Sequence, residues 1–233
     1  MRSIWIYNGC GVSADSLKHT LHMFSLHTKI PTQLVTVDEV FFSNWDECAL
    51  FVMPGGRDLP YVRSLKGKGI DNIKKYVEEG GSYLGICAGA YFAGSKVNFD
   101  EGGPLEIIGK RELAFYPGTV KGPTLKPFDY YSLKGAMATP LKWKEPVTVF
   151  FNGGGHFEEG EGNPIAYYPD GREAVIECQV KKGKAILSSV HFEYFPELMD
   201  EQNPYLKEIR PLISIPNLLT FQAWIIQKLL RKE

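Results

Sequence analysis

Residues 82–91 read Ser-Tyr-Leu-Gly-Ile-Cys-Ala-Gly-Ala-Tyr, and this stretch decides the fold. Ser82 to Ile86 is a short apolar run that predicts a buried strand. It leads directly into Cys87 and a helix of small residues predicted from Ala88 to Ser95. Glycines stand two residues before and after the cysteine, the spacing of a strained strand-to-helix turn that raises a nucleophile above the edge of a sheet. The stretch therefore predicts an α/β sheet with a reactive position at one strand end.

Apolar runs alternate with amphipathic ones on the N-terminal side of this stretch. Three more strands are predicted at Ser3–Tyr7, Gln33–Val37 and Cys48–Met53, and a helix begins after the Gly-rich turn Asn8–Ser13. A second helix, Ile70–Glu79, ends at a Gly-Gly pair typical of a helix C-cap. Continuous apolar strands separated by helices indicate a parallel sheet covered on both faces. We therefore expect an α/β, flavodoxin-like three-layer sandwich with a mostly parallel sheet.

The C-terminal half is dominated by β signals. Apolar or alternating segments separated by Gly-containing turns predict extra strands and β hairpins of the same domain, at Glu112–Tyr116, Val147–Phe151, Ile165–Tyr168, Ala174–Val180 and Ala185–Phe192. The segment Pro216–Leu230 repeats apolar residues at helical spacing, which predicts a closing helix packed on the sheet rather than a partner-binding helix. Because the chain shows no repeat or linker, we expect residues 1–233 to form a single domain.

The composition excludes several classes of function. The 233 residues carry 26 basic and 27 acidic side chains, a formal net charge of −1, so neither a nucleic acid nor a membrane surface is an expected partner. No apolar stretch approaches the roughly 20 residues that a membrane-spanning helix needs. The N-terminus lacks the features of a signal peptide, which predicts a cytoplasmic protein. The four cysteines are widely spaced, so we expect neither disulfides nor a metal site, and no cofactor is indicated.

Cys87 is the candidate nucleophile. It stands at the start of the predicted helix, whose dipole and free N–H groups favour the thiolate form. The alternative interpretation is a buried cysteine that fills a tight strand-to-helix turn, and the motif Gly-x-Cys-x-Gly alone does not distinguish the two.

His191 is the candidate base. It ends an apolar strand and is followed two residues later by Glu193, which an extended backbone would place on the same face. The pair completes a Cys–His–Glu arrangement, in which Glu193 fixes the tautomer of His191 while the second ring nitrogen accepts the proton of Cys87.

The other four histidines have other interpretations. His19, His22 and His27 lie on or beside the first helix, where we expect solvated surface positions. His156 follows three glycines in a loop, and either a ligand contact or a plain turn would explain it.

Acyl transfer also needs N–H donors for the developing oxyanion. The backbone N–H of Ala88 is one candidate, because it belongs to the residue after the nucleophile. Gly55 or Gly56, after the third strand, would supply the other, since glycine lets the backbone turn its N–H into the site. The alternative for Pro54-Gly55-Gly56 is a turn that only ends the strand.

Longer blocks of the chain carry a resemblance to a known family. They are Tyr7-Asn8-Gly9 with Ser13 and Ser16, His19-Thr20-Leu21, Val52 to Tyr61, Gly80 to Gly89, Arg111 to Gly118, and Phe151 to Gly155. Together they resemble the class I glutamine amidotransferase domains, and more closely the amidotransferase-like N-terminal domain of biotin-protein ligases. The resemblance places Cys87, His191 and Glu193 as nucleophile, base and orienting group, and Gly55, Gly56 and Ala88 at the oxyanion site.

The same resemblance suggests where a substrate would bind. It places Arg57, Asp58 and Tyr61 at the pocket rim. The loops after the first, third and fourth strands should meet at the carboxyl edge of the sheet, where open α/β folds bind ligands. The candidate substrate-binding residues are Asn8, Arg57, Asp58, Tyr61, Tyr91, Asn152 and Gly153.

Two departures from the family pattern limit what the resemblance implies. Tyr91 stands where glutamine amidotransferases usually carry glutamine, so we expect little glutaminase activity. The sequence has no Gly-Arg-Gly-Arg adenylate loop, so ligation of biotin is not expected of this chain. The lineage of intracellular-protease-like proteins fits less well, because it usually has histidine where this chain has Ala88.

These observations leave two hypotheses from different classes. The first is a cysteine-dependent amidotransferase-like hydrolase or acyl transferase acting on a small amide or ester. The second is a catalytically silent module that binds a small ligand or docks on a partner enzyme. Redox or glyoxalase-like chemistry at Cys87 would be expected to use a carboxylate from the loop Asn8–Ser13, and that loop contains none.

Overall fold

A mixed sheet forms the middle layer of the computed structural model, which describes residues 2–129 and 131–231. One half of the sheet, from its edge strand inwards, is parallel. The parallel strands lie side by side in the order β2 (Thr32–Val35), β1 (Ser3–Tyr7), β3 (Cys48–Met53), β4 (Ser82–Ile86) and β13 (Gly183–Ser188).

Further strands extend the sheet beyond β13, with mostly antiparallel pairing. In spatial order they are β12 (Glu173–Val180), β10 (His156–Glu158), β7 (Tyr116–Gly122), β5 (Gly94–Phe99) and β6 (Ile107–Lys110), and β11 (Asn163–Tyr167) pairs with β12. A separate hairpin consists of β8 (Met137–Leu141) and β9 (Val147–Phe151).

Helices cover both faces of the parallel strands. They are α1 (Ala14–His27), α2 (Val37–Phe42), α3 (Asp58–Leu65), α4 (Lys68–Glu78), α5 (Ala88–Ala93), α6 (Pro204–Ile209) and α7 (Ile215–Leu230). The expected α/β sandwich with a mostly parallel central sheet is confirmed. Within the described ranges, no helix combines the length and apolar character needed to cross a bilayer.

The alternation of side chains along β1 shows why the sheet is buried on both faces. Ile4 and Ile6 pack into a core with residues of α1 and α7, whereas Trp5 and Tyr7 pack into a second core with residues of α3 and α4. All four side chains are at most 1% exposed. Full burial of a large apolar side chain contributes about 1.5–3 kcal/mol, so one strand anchors both helical layers.

Some element boundaries differ from the sequence-based expectations. The second strand ends at Val35, because Thr36 forms a capping box with Glu39 and starts α2. The strand expected at Glu112–Tyr116 is wrong: residues 111–115 form an irregular segment with bends, in which Ala114 has φ 48°, and β7 begins only at Tyr116. The strand expected to reach Phe192 ends at Ser188, which leaves His191 outside the regular ladder.

Candidate active site

Cys87 occupies a strained turn between β4 and α5. Its backbone has φ 48° and ψ −102°, in a region that L-residues rarely adopt. A Cβ on Gly85 would lie 2.5 Å from the carbonyl oxygen of Gly89, and a Cβ on Gly89 would lie 2.2 Å from that of Met53. Both flanking glycines are therefore required by close backbone contacts. The cysteine itself is 6% exposed and lines two cavities.

His191 and Glu193 form a hydrogen-bonded pair next to this cysteine. Nδ1 of His191 lies 2.8 Å from Oε1 of Glu193, and since a carboxylate only accepts, the ring donates its Nδ1–H. The second ring nitrogen, Nε2, is then the one left for Cys87. The backbone N–H of His191 donates to the carbonyl of Phe150 at 2.9 Å, which fixes the loop after β13 against β9.

The charge on His191 follows from its neighbours. Burial would lower the pKa of its imidazole, but the Glu193 carboxylate and the Cys87 sulfur, each also hydrogen-bonded to the ring, raise it to about 10. The ring is therefore protonated at neutral pH. A protonated ring beside Cys87 suits a cysteine nucleophile, because the same ring can later protonate a leaving group.

Ser16 joins the carboxylate of this pair to the turn after β3. Its Oγ–H donates to Oε1 of Glu193 at 2.8 Å, and Oγ accepts the backbone N–H of Gly55 at 2.9 Å. Ser16 is fully buried, as is Glu193, whose Oε2 has no hydrogen-bond partner among the residues the structure describes. The sequence alone indicates Ser16 only as part of a segment that carries the family resemblance. Its hydrogen-bond partners Gly55 and Glu193 lie 39 and 177 residues away along the chain, so no local pattern reveals them.

The hydrogen bond from Gly55 decides which N–H groups are free for an oxyanion. Because the N–H of Gly55 is already taken by Ser16, the expectation that Gly55 is an oxyanion donor is corrected. The N–H groups of Gly56 and Ala88 have no acceptor within the described part of the chain. Gly56 has φ 146°, and a Cβ there would lie 2.0 Å from the carbonyl oxygen of Gly11. Gly56 and Ala88 are thus the candidate donor pair.

Two cavities meet at Cys87. The large cavity, of about 530 Å³, is bounded by α1, the 198–206 segment and His191. The small cavity, of about 260 Å³, is bounded by α3, β5 and β6. Gly56, Arg57, Phe128 and Asn152 line both cavities, so the cysteine lies at the boundary between two adjacent cavities.

The predicted substrate-binding residues take different positions around these cavities. Arg57 is exposed and lines both cavities, whereas Asn8 is exposed and lines neither. Tyr61 is fully buried behind the glycine turn, where its hydroxyl donates to the carbonyls of Pro54 and Gly55. It supports the turn from behind instead of forming a rim.

Asp58 lines the small cavity, but its carboxylate is already paired. Nε and Nη2 of Arg111 lie 2.7 and 2.6 Å from Oδ2 of Asp58, and both side chains are largely buried. The sequence alone indicates Arg111 only as the first residue of a segment that carries the family resemblance. The pair joins the start of α3 to the residue that follows β6. It therefore shapes the wall of the small cavity.

The loop 152–156 forms the third wall of the site. The carbonyl of Asn152 lies 3.9 Å from Sγ of Cys87, and the carbonyl of Gly153 accepts the hydroxyl of Tyr91 at 3.1 Å. His156 contacts Thr124 through Nδ1 at 2.9 Å and Glu158 through Nε2 at 2.8 Å. Both nitrogens of His156 are therefore used to hold the loop, which favours a structural role over a ligand contact.

His19 is a cavity residue that sequence reasoning placed on the surface, and this expectation is wrong. It is 2% exposed, its Nδ1 accepts the N–H of Phe195 at 2.9 Å, and its ring stacks on Tyr194 with centroids 4.1 Å apart. Burial, together with nearby Lys18 and His191, lowers the pKa of His19 to about 3. The residue is thus a neutral imidazole in the wall of the large cavity.

The sequence comparisons identify the family. A family model described as the N-terminal part of biotin-protein ligase matches residues 2–217. The chain is 36% identical over 231 residues to an uncharacterized protein of Chlamydia muridarum, covering 92% of this chain and 89% of that one. It is 35% identical over 223 residues to a biotin–protein ligase of Schizosaccharomyces pombe, covering 88% of this chain but only 34% of the ligase. The chain therefore belongs to the biotin-protein ligase N-terminal family, and it spans about one third of the ligase it matches.

The structural comparisons establish the fold. A glutamine amidotransferase from Thermotoga maritima superposes with a TM-score of 0.63 and 11% identity, covering 100% of both chains. A chain of the PurLQS structure from Thermotoga maritima superposes with a TM-score of 0.60 and 14% identity, covering 97% of this chain and 99% of that one. At these identities the likeness shows a class I glutamine amidotransferase-like fold and no more.

Proposed function

We propose that this member of the biotin-protein ligase N-terminal family is a cysteine-dependent hydrolase or acyl transferase that acts on a small amide or ester. The observation that carries the proposal is the 2.8 Å bond between His191 and Glu193 beside a cysteine held at a positive φ between two cavities. A cysteine that only filled a turn would need neither a buried charged pair nor access to a cavity.

The geometry supports a two-step reaction through a thioester. The thiolate of Cys87 attacks the carbonyl carbon, and the N–H groups of Gly56 and Ala88 stabilise the oxyanion. The imidazolium of His191 gives its Nε2 proton to the leaving nitrogen or oxygen as the bond to carbon breaks. A water or an acceptor amine then attacks the thioester and loses a proton to His191, and the thiolate is restored.

The test is covalent labelling of Cys87 by an activated ester. Incubation with p-nitrophenyl acetate should add one acetyl group at Cys87, detected by intact mass and peptide mapping, and release p-nitrophenolate in a burst. The variant Cys87→Ser should lose the label, and His191→Asn should slow labelling by about 100-fold or more. Labelling of Cys10 at the same rate, or a rate unchanged in His191→Asn, would contradict the proposal.

Glutamine should be a poor substrate. The hydroxyl of Tyr91 donates to the carbonyl of Gly153, and its oxygen would lie 1.9 Å from a Cβ on Gly122. The position is therefore occupied by a fixed aromatic group instead of a free amide. Release of ammonia from glutamine at about 10 per second, the typical rate of an enzyme, would refute this expectation.

A second candidate function is that of a module that docks on an enzyme and catalyses no reaction itself. It is favoured by one observation: the Schizosaccharomyces pombe relative is a biotin–protein ligase of which this chain covers only 34%. The test is titration of the chain into a purified biotin-protein ligase from the same organism. A complex that changes the ligation rate, together with an unreactive Cys87, would replace the first proposal, whereas the absence of binding would eliminate the second.

A further inference from the structure

The two cavities on either side of Cys87 differ in chemistry. The small cavity is walled mainly by apolar side chains, among them Leu59, Val97, Phe99, Ile107 and Phe128, although Arg57, Asp58 and Arg63 also belong to its lining. The large cavity has Asp15, Lys18 and Asp200 at its walls together with the neutral ring of His19. A substrate that spans the cysteine would therefore have one apolar part and one polar part.

The positions of the catalytic groups indicate which part of the substrate enters which cavity. His191, the acid for the leaving group, lines the large cavity and is absent from the lining of the small one. Ala88, the oxyanion donor after the nucleophile, lines only the small cavity. Because the departing atom must lie within reach of the acid, the leaving group has to extend into the large cavity. The acyl chain then extends into the small cavity.

The charges in the large cavity indicate the kind of leaving group. Asp15 and Lys18 lie one turn apart on α1, and Nζ of Lys18 is held over the cavity by the carbonyl of Leu198 at 3.0 Å. Asp200, two residues after Leu198, adds a second carboxylate to the lining of the large cavity. Acidic and basic groups that line one cavity suit a leaving group that itself carries both charges.

We infer that the substrate is an amide with an apolar acyl chain in the small cavity and a zwitterionic amine, of the amino-acid type, as leaving group in the large cavity. The inference rests on the proposed function and adds the substrate class. Glutamine has the opposite polarity, since its acyl part is the zwitterion and its leaving group is ammonia. In the inferred reaction the amide C–N bond breaks, the nitrogen takes the proton of His191, and water releases the acyl chain from Cys87 as a carboxylic acid.

The test uses Nε-acyl-lysines with acyl chains from acetyl to decanoyl, and N-acyl-butylamines of the same lengths as uncharged counterparts. Release of the free amine is followed by chromatography. We expect kcat/KM to rise about fourfold for each methylene that enters the small cavity, until the cavity is filled. The lysine series should exceed the butylamine series by about tenfold or more.

Matched variants link each preference to its cavity. Ile107→Trp narrows the small cavity and should shift the optimum to a shorter chain. Ile108→Trp changes the neighbouring residue of the same strand, which is 48% exposed and lines neither cavity, and should leave the optimum unchanged. Asp15→Asn should reduce the preference for lysine over butylamine, whereas Asp38→Asn, in the first turn of α2, should not.

The outcomes separate this inference from the proposed function. A flat or reversed chain-length profile, or equal rates for the lysine and butylamine series, would overturn the inference while p-nitrophenyl acetate still labelled Cys87. A shift of the optimum in Ile108→Trp equal to that in Ile107→Trp would also overturn it. If neither the amides nor the activated ester acylated Cys87, the proposed function would fail and the inference with it.

Discussion

Replacing Ser16 with alanine removes the hydroxyl that joins Glu193 to the backbone of Gly55. The side chain is fully buried, so water cannot take its place in the two hydrogen bonds of 2.8 and 2.9 Å. A bond to a carboxylate contributes roughly 1.5–3 kcal/mol and a neutral bond about 0.5–1.5 kcal/mol, so we expect the free energy of unfolding to fall by about 2–4.5 kcal/mol. Glu193, whose Oε2 is already without a partner in the described chain, would lose one of its two donors.

The assay is urea denaturation with Ser25→Ala as the control. Ser25 lies on the same helix but is exposed, and among the described residues its hydroxyl donates only to the carbonyl of His22, so its replacement should change stability by less than about 0.5 kcal/mol. Activity toward the activated ester gives a second readout. Because Ser16 lines neither cavity, kcat should fall by about tenfold or more while KM stays nearly constant. Equal midpoints for the two variants and an unchanged kcat would refute the reasoning.

Three further predictions concern other parts of the site. Cys87 should react with iodoacetamide faster than Cys48, whose pKa burial raises to about 12, and peptide mapping that shows equal rates would contradict this. The pKa of His19 is lowered to about 3, so the unfolded chain binds a proton below about pH 6.5 that the folded chain does not. The free energy of unfolding should therefore fall on acidification from about pH 6.5 towards pH 3, and His19 should account for up to about 1.4 kcal/mol of this loss per pH unit. The variant His19→Asn should remove that pH dependence, which is measured as urea midpoints at pH 7, 6 and 5. Arg111→Met should lower the unfolding free energy by about 3 kcal/mol because it leaves Asp58 buried and unpaired. The double variant with Asp58→Leu should recover part of the loss. A further loss of stability in the double variant would contradict the role of the pair.

The parallel core was readable from sequence because its strands are continuous apolar runs. Ser3–Tyr7, Cys48–Met53 and Ser82–Ile86 were predicted with the boundaries that the structure shows. Where local signals competed, the prediction failed: Thr36 has a high strand propensity, but its side chain caps a helix. Leu113 and Phe115 are buried like strand residues, yet they lie in bends whose burial comes from packing against the second core.

The candidate site was predictable only where its residues are close in sequence. His191 and Glu193 are two residues apart, and the structure places their side chains in contact although the regular strand ends at Ser188. The partner of Gly55 depends on a contact with α1 that no local pattern encodes. The burial of His19 has the same origin, because the segment that contains Phe195 covers that face of the helix.

The first turns of α1 carry exposed cavity residues on one face and buried supporting residues on another. This arrangement indicates which positions to change when selectivity is redesigned. Asp15 and Lys18 are exposed and line the large cavity, whereas Ser16 is buried outside both cavities and is held by Glu193; His19 is buried and held by Phe195, and its ring forms part of the large cavity's wall. A library that randomises positions 15 and 18 would alter which amine is accepted while leaving the alignment of the base untouched. A library at position 16 would instead lower stability and turnover together, whatever amine is offered.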